Sequence, residues 1–166
     1  DLIDAPLLVT GRDGVQVAAY GIPYLEPDLH REALGAERSH TAVLTSAMDR
    51  VRTDLAARDG VRSVVVAHAF ITGSGEAVVS ESERDLRVGG VGDAPAGVFA
   101  GVDYVALGHL HGAQEVRAPG TTRVHYSGSP LAFSFSEESH VKSVTLIDVT
   151  AAGVADVSVI PVPVGR

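Results

Sequence analysis

Apolar residues along the chain fall into short runs broken by glycine, proline and acidic residues, and the spacing inside the runs changes from one stretch to the next. Pro6 to Val9 and Val15 to Tyr20 flank Gly11-Arg12-Asp13-Gly14, which predicts a β-hairpin closed by turn-forming residues. Gly21-Ile22-Pro23-Tyr24 ends the second strand, with Pro23 and Tyr24 expected as a packed loop corner. Asp28 to Glu37 is polar and reads as loop or a short helical turn. From Ser39 to Arg58 the period lengthens. Val43, Leu44, Ala47, Met48, Val51, Leu55 and Ala56 recur at three- and four-residue spacing, which is the apolar face of a helix. Ser39 or Thr41 can cap it and Asp59-Gly60 stops it.

Arg62 to Ala67 is a continuous β-branched run, the pattern of a strand covered on both faces, and it delivers His68 at its carboxyl end. Val102 to Leu107 is a second such strand, leading into Gly108-His109-Leu110-His111. A helix followed by two buried strands predicts a layered α/β architecture whose strand ends gather at one rim. Ile71 to Gly97, rich in Gly, Ser and Glu with little periodicity, reads as a long, partly ordered loop region on the site side of the sheet. Further on, Arg123 to Tyr126 is a strand and Ser127-Gly128-Ser129-Pro130 a tight turn. Ser134 to His140 is polar, and Val141 to Val149 and Val154 to Val159 are two strands joined near Ala151-Ala152-Gly153.

The composition narrows the picture. A length of 166 residues suits one domain with a single core, and 45% hydrophobic content with 18 glycines spread between the runs is globular. Without cysteine there are no disulfides and no thiolate metal sites, so any metal must use histidine, carboxylate or amide ligands. A net charge of -8 lacks the electrostatic footprint of a nucleic-acid surface. No apolar run reaches the length of a membrane span and the start shows no basic-then-apolar signal pattern, so a soluble, cytoplasmic protein is expected. The chain starts at Asp1 and its only methionine is Met48, which reads as a processed or excised piece of a longer product.

Chemistry concentrates on histidine. In an extended backbone, positions i and i+2 point to one side, so His109 and His111 are expected to face one spot, and Gly108 lets the backbone crowd whatever is bound there. Imidazole is the commonest protein ligand for transition metals, although a histidine at a strand end is more often a hydrogen-bonded structural residue. His68 reaches the same rim if its strand neighbours that of His109. His30 and His40 are expected to be solvated, while His125 falls inside a strand and His140 in a polar turn, and none of the four is expected to hold a metal.

Ala67-His68 and Gly108-His109-Leu110-His111 resemble the last two signatures of the calcineurin-like metallophosphoesterases. The longer words Tyr104 to Gln114, Tyr126-Ser127-Gly128-Ser129-Pro130-Leu131 and Ser134-Phe135-Ser136-Glu137 resemble the SbcD-type repair nucleases, as do Arg84-Asp85-Leu86 and Gly89-Gly90. The resemblance covers the chain from about Tyr20 onward. It implies an α/β fold that is part of a four-layer αββα sandwich with mixed sheets and flanking helices. Residues 1–160 would be the C-terminal half of the nuclease domain and residues 161–166 the start of a linker to a capping domain. It also implies two divalent ions, manganese by analogy, with His68 and His109 on one ion and His111 on the other. Gly108, Gln114, Ser127, Gly128 and Ser129 would line the site, and no further catalytic residue would lie in these residues. The implied role is DNA exonuclease and endonuclease activity in double-strand break processing, with an SbcC-type coiled-coil ATPase subunit, as a homodimer and without a membrane.

The family's earlier motifs, Asp-x-His, Gly-Asp-x-x-Asp and Gly-Asn-His-Asp, are expected to lie outside this segment, which alone should bind metal weakly and be inactive. Two other readings stay open, a generic metallophosphodiesterase acting on small molecules and a metal-free scaffold module.

Overall fold

The computed structural model describes residues 3–73 and 93–163. Its first two strands, β1 (Leu7–Thr10) and β2 (Gln16–Ile22), form the expected antiparallel hairpin. The turn is held by Gly11 donating to the Val15 carbonyl at 2.8 Å and by the Asp13 carboxylate accepting from the Val15 amide. The polar stretch that follows is a helix, α1 (Pro27–Leu34), with proline in its first turn and Gly35 in the left-handed conformation that ends it. Helix α2 (His40–Ala56) is capped by Ser39, whose hydroxyl accepts from the Ala42 amide at 3.1 Å. Val43, Leu44, Ala47, Met48 and Val51 are buried as their spacing predicts, while Leu55 is only partly covered and Ala56 is exposed.

The remaining strands are β3 (Arg62–His68), β4 (Ile71–Thr72), β5 (Ala94–Pro95), β6 (Tyr104–Gly108), β7 (Gln114–Val116), β8 (Arg123–Tyr126), β9 (Ser143–Thr150) and β10 (Gly153–Pro161). Six of them make one mixed sheet in the order β1-β2-β3-β6-β8-β7. Its four central strands β2, β3, β6 and β8 run parallel, and β1 and β7 are antiparallel edges. This is the α/β class expected, with parallel strand ends at one rim. In the stretch expected as a partly ordered loop region, the described residues 71–73 and 93–97 do carry short elements. β4 and β5 pair in parallel, and a 3-10 turn (Ala96–Phe99) carries the fully buried Phe99. Arg84-Asp85-Leu86 and Gly89-Gly90 lie outside the described residues.

One expectation about β3 fails. Its burial alternates, with Ser63, Val65 and Ala67 buried while Val66 is 53% exposed. The side facing α2 forms the core with Tyr20, Leu107 and Tyr126. On the opposite side Val66 is in register with Ala106 and Ala106 with His125. The β9–β10 hairpin reaches that side at His125, where the Thr145 hydroxyl is 3.4 Å from the imidazole. Burial there holds His125 below its ordinary pKa. Among the described residues no layer covers Val66 in the same way, so a β-branched run alone does not report two covered faces.

Two side chains fix the relation of β3 to β6. At the amino ends, Asp103 accepts from the Ser63 amide at 2.8 Å, the Ser63 hydroxyl at 2.9 Å and Arg62 at 3.2 Å. At the carboxyl ends, the buried Tyr126 hydroxyl donates to the Ala69 carbonyl and accepts from the Ile71 amide, both at 2.8 Å. The backbone just beyond His68 is therefore tied to β8 across the rim.

Candidate metal centre

His68 is the last residue of β3, and Gly108, its partner in register, is the last residue of β6. The two parallel strands thus deliver His68 and His109 to one place, and the rings meet with centroids 5.4 Å apart at 80°. Gly108 leaves room for this approach. A Cβ there would stand 3.0 Å from Nδ1 of His68, so an added methyl must push the ring aside. Because the His68 side chain is exposed and its ring can shift, Gly108→Ala in the parent subunit is expected to change stability by no more than about 0.5 kcal/mol. It should also weaken divalent-metal binding, read by thermal melting and by isothermal titration.

His109 and His111 do not lie on one extended strand. β6 stops at Gly108, and His109 is the one non-glycine residue with positive φ among the described residues, at 121°. Such a conformation costs on the order of 1–3 kcal/mol and persists only where its surroundings enforce it. It turns His109 toward His68 and Phe70, whose ring lies 5.9 Å away, while His111 packs on Phe133 at 5.4 Å. The histidines face different neighbours, so a single spot holding both does not follow from the strand period.

His111 is held by a group that no sequence motif singles out as its partner. Nδ1 of His111 is 2.8 Å from Oε1 of Glu137, a carboxylate with no exposure at all. The other oxygen, Oε2, accepts from Nζ of Lys142 at 2.7 Å, and Lys142 is also buried. Lys142 further donates to the Ser129 hydroxyl at 2.8 Å and to the His111 carbonyl at 3.3 Å. Glu137 gains two more donors, the Phe133 amide and the Ser134 hydroxyl, both at 3.3 Å. An ionised carboxylate can be buried only with such partners. The signal available was slight. Lys142 is the only lysine in the chain and follows a polar stretch whose one buried residue is Glu137.

The other residues expected at the site divide. Gly128, at φ 79°, passes so close behind the loop that a Cβ would lie 2.9 Å from the His111 carbonyl and the Ala113 amide. Ser129 donates its amide to the same carbonyl at 3.1 Å. Both brace the His111 loop from behind. Gln114 bonds the Gly112 carbonyl through its side-chain amide, and Ser127 is half-buried. On the His68 side, Tyr24 is a half-exposed ring and not a packed corner. It lies 6.3 Å from the ring of His68 and 5.5 Å from that of His40. His40 therefore borders the same hollow, with Phe70, and is half-buried instead of solvated. His30 is also half-buried, with Nδ1 3.0 Å from the Glu26 carbonyl. The letters Asp28-Leu29-His30 do spell Asp-x-His within the chain. They stand on α1, however, with Asp28 paired to Arg38, and so do not form a strand-end ligand pair. His140, in the polar turn, packs against Gly112 with a buried Nδ1 that has no hydrogen-bond partner among the described residues.

The donor set fits a divalent metal in part. Two imidazoles converge, and a third has its ring fixed by a carboxylate, the usual support of a metal-bound histidine. Among the described residues no group of three or more His, Asp or Glu side chains gathers around one point. Likewise, no helix among the described residues is long and apolar enough to cross a membrane.

No family model matches the chain. It is 40% identical over 100 residues to the SbcD component of the SbcCD nuclease of Bacillus subtilis (strain 168), covering 60% of this chain and 23% of that protein. To the protein of the same name from Escherichia coli (strain K12) it is 32% identical over 168 residues, covering 96% of this chain and 41% of that protein. The chain thus spans less than half the length of the curated relatives it matches. The strand ends, the histidine words on them and these matches agree: the chain belongs to the SbcD-type nuclease subunits and corresponds to one segment of them.

Proposed function

We propose that this segment supplies three histidine ligands to the metal centre of a DNA nuclease subunit that works in double-strand break processing. The meeting of His68 and His109 at the ends of adjacent parallel strands carries the reading, because two imidazoles brought together at one rim are the donor type that a transition-metal ion takes. His68 and His109 bind one ion and His111 the other. When bound, two divalent cations about 3.5–4 Å apart hold both the attacking and the leaving oxygen of an in-line phosphodiester displacement. Manganese suits a site that mixes imidazole with carboxylate. Gly108 leaves room for the His68 ring, and the braces at Gly128 and Ser129 keep the His111 loop in place.

The remaining ligands come from parts of the parent subunit outside this segment, so the 166-residue chain by itself binds metal weakly and does not turn over. The negative charge of the segment directs the DNA contacts elsewhere, to those other parts or to an SbcC-type ATPase partner in a homodimeric, cytoplasmic assembly.

The test uses the parent subunit with linear duplex DNA and, separately, a small chromogenic phosphodiester, each with Mn²⁺ or with chelator. Metal-dependent degradation of DNA is the expected result. Hydrolysis of the small ester without DNA cleavage would point to a generic phosphodiesterase, and inactivity on both would point to a scaffold.

A further inference from the structure

We infer that Glu137 is a positioning residue for the metal centre: it fixes the tautomer and orientation of His111, with Lys142 as the buried counter-charge that keeps Glu137 in that role. The inference rests on the reading of His111 as a metal ligand. Nδ1 of His111 faces a carboxylate oxygen at 2.8 Å. A carboxylate has no proton to give, so Nδ1 carries the hydrogen, and the acceptor lone pair of the neutral ring lies on Nε2. A carboxylate behind a ligating histidine also raises its basicity, which strengthens the bond to a cation.

Glu137 would itself be an attractive ligand for a divalent ion, and the geometry prevents this. Oε2 is engaged by Nζ of Lys142 at 2.7 Å and by the Phe133 amide, and Oε1 by His111 and the Ser134 hydroxyl. Both residues are buried, so the carboxylate cannot swing toward the rim without leaving an ammonium stranded. Lys142 also bonds the His111 carbonyl and Ser129, so the same cation holds the backbone of the histidine and the carboxylate behind its ring. One ion pair thereby sets the position and the proton of a single side chain.

The experiment measures binding of Mn²⁺ alone to the full-length subunit, by electron paramagnetic resonance and calorimetry, with thermal melting alongside. Two double variants both remove the ion pair. Glu137→Gln with Lys142→Gln retains an amide oxygen that can accept from Nδ1, and Glu137→Met with Lys142→Met retains none. The methionine pair is expected to melt near the parent, since apolar replacement of a buried ion pair is often neutral or stabilising. It should lose about 10- to 100-fold in affinity at one of the two Mn²⁺ sites. The glutamine pair should stay within a few-fold of the parent. If the methionine pair does not fold, Glu137→Gln alone takes its place: its amide oxygen is drawn to Lys142 and its NH₂ meets Nδ1, which predicts the same one-site loss. Parent-like Mn²⁺ binding in the methionine pair, or in that stand-in, overturns the inference, as does equal loss in both double variants. His111→Ala separates the two levels: if it too binds Mn²⁺ as the parent does, the ligand assignment fails, whereas its loss beside an unaffected methionine pair rejects only the positioning role.

Discussion

Replacing His111 by alanine in the parent subunit is expected to lower metal-dependent DNA cleavage by more than about a hundredfold. That is the upper end of what removing a supporting group behind a ligand costs, and here the ligand itself goes. The fold should survive. Without the imidazole, Glu137 retains Lys142, the Phe133 amide and the Ser134 hydroxyl as donors, so the buried charge is not left alone. His68→Ala should lower cleavage comparably, because His68 and His109 form the pair at the neighbouring strand ends. Leu29→Ala, at an exposed position of α1 that takes no part in the contacts described for the histidines, serves as the control with unchanged cleavage. Cleavage by His111→Ala within about threefold of the parent would remove His111 from the centre.

Lys142→Met is the second change with a large expected effect, and it acts on stability. Breaking a buried ion pair by deleting one partner costs about 3–5 kcal/mol, because the remaining charge stays in a place that water cannot reach. Glu137 is fully buried, and Lys142 is its cationic partner at 2.7 Å. The loss also frees the Ser129 hydroxyl and the His111 carbonyl from their shared donor. Urea unfolding of the single variant beside the methionine double variant reads the effect directly. The single variant should be the less stable of the two, and a single variant as stable as the parent would show that Glu137 does not carry its charge there.

Much of the fold could be read from spacing alone. The hairpin, α2 and its Ser39 cap, β3, β6, β8 and the β9–β10 pair all stand where periodicity and turn residues put them. The misses share physical causes. β7 has three residues and β4 and β5 two each, too few for any period to register. Val66 belongs to an unbroken β-branched run, and such a run does not say which face another layer will cover. For the site, the three histidines were visible as words at strand ends, but their mutual placement was not. The positive φ of His109 is a tertiary constraint that breaks the alternation used to aim it. Glu137 sits in the polar stretch Ser134-Phe135-Ser136-Glu137-Glu138, where adjacent acids give no sign that one is buried; its burial depends on Lys142 and on the return of the chain past His111. Tyr24 and His40 approach His68 only because α2 begins beside the end of β2, which no local pattern encodes.

The clamp of Ser63 on Asp103 spans 40 residues of sequence, and the parallel pairing of β3 with β6 spans as many. A turn cannot make such a contact; the intervening chain has to close first, and closures of this kind place a fold toward the slow end of the range for its size. His68 and His109 therefore come together only once that pairing exists. A chain still folding shows single imidazoles, each a weak monodentate ligand, so a metal ion has little to gain from any earlier species. An ion gripped by both rings adds its binding energy to the native pairing alone and slows its opening. Metal uptake during refolding is accordingly expected to follow strand pairing in time, never to precede it.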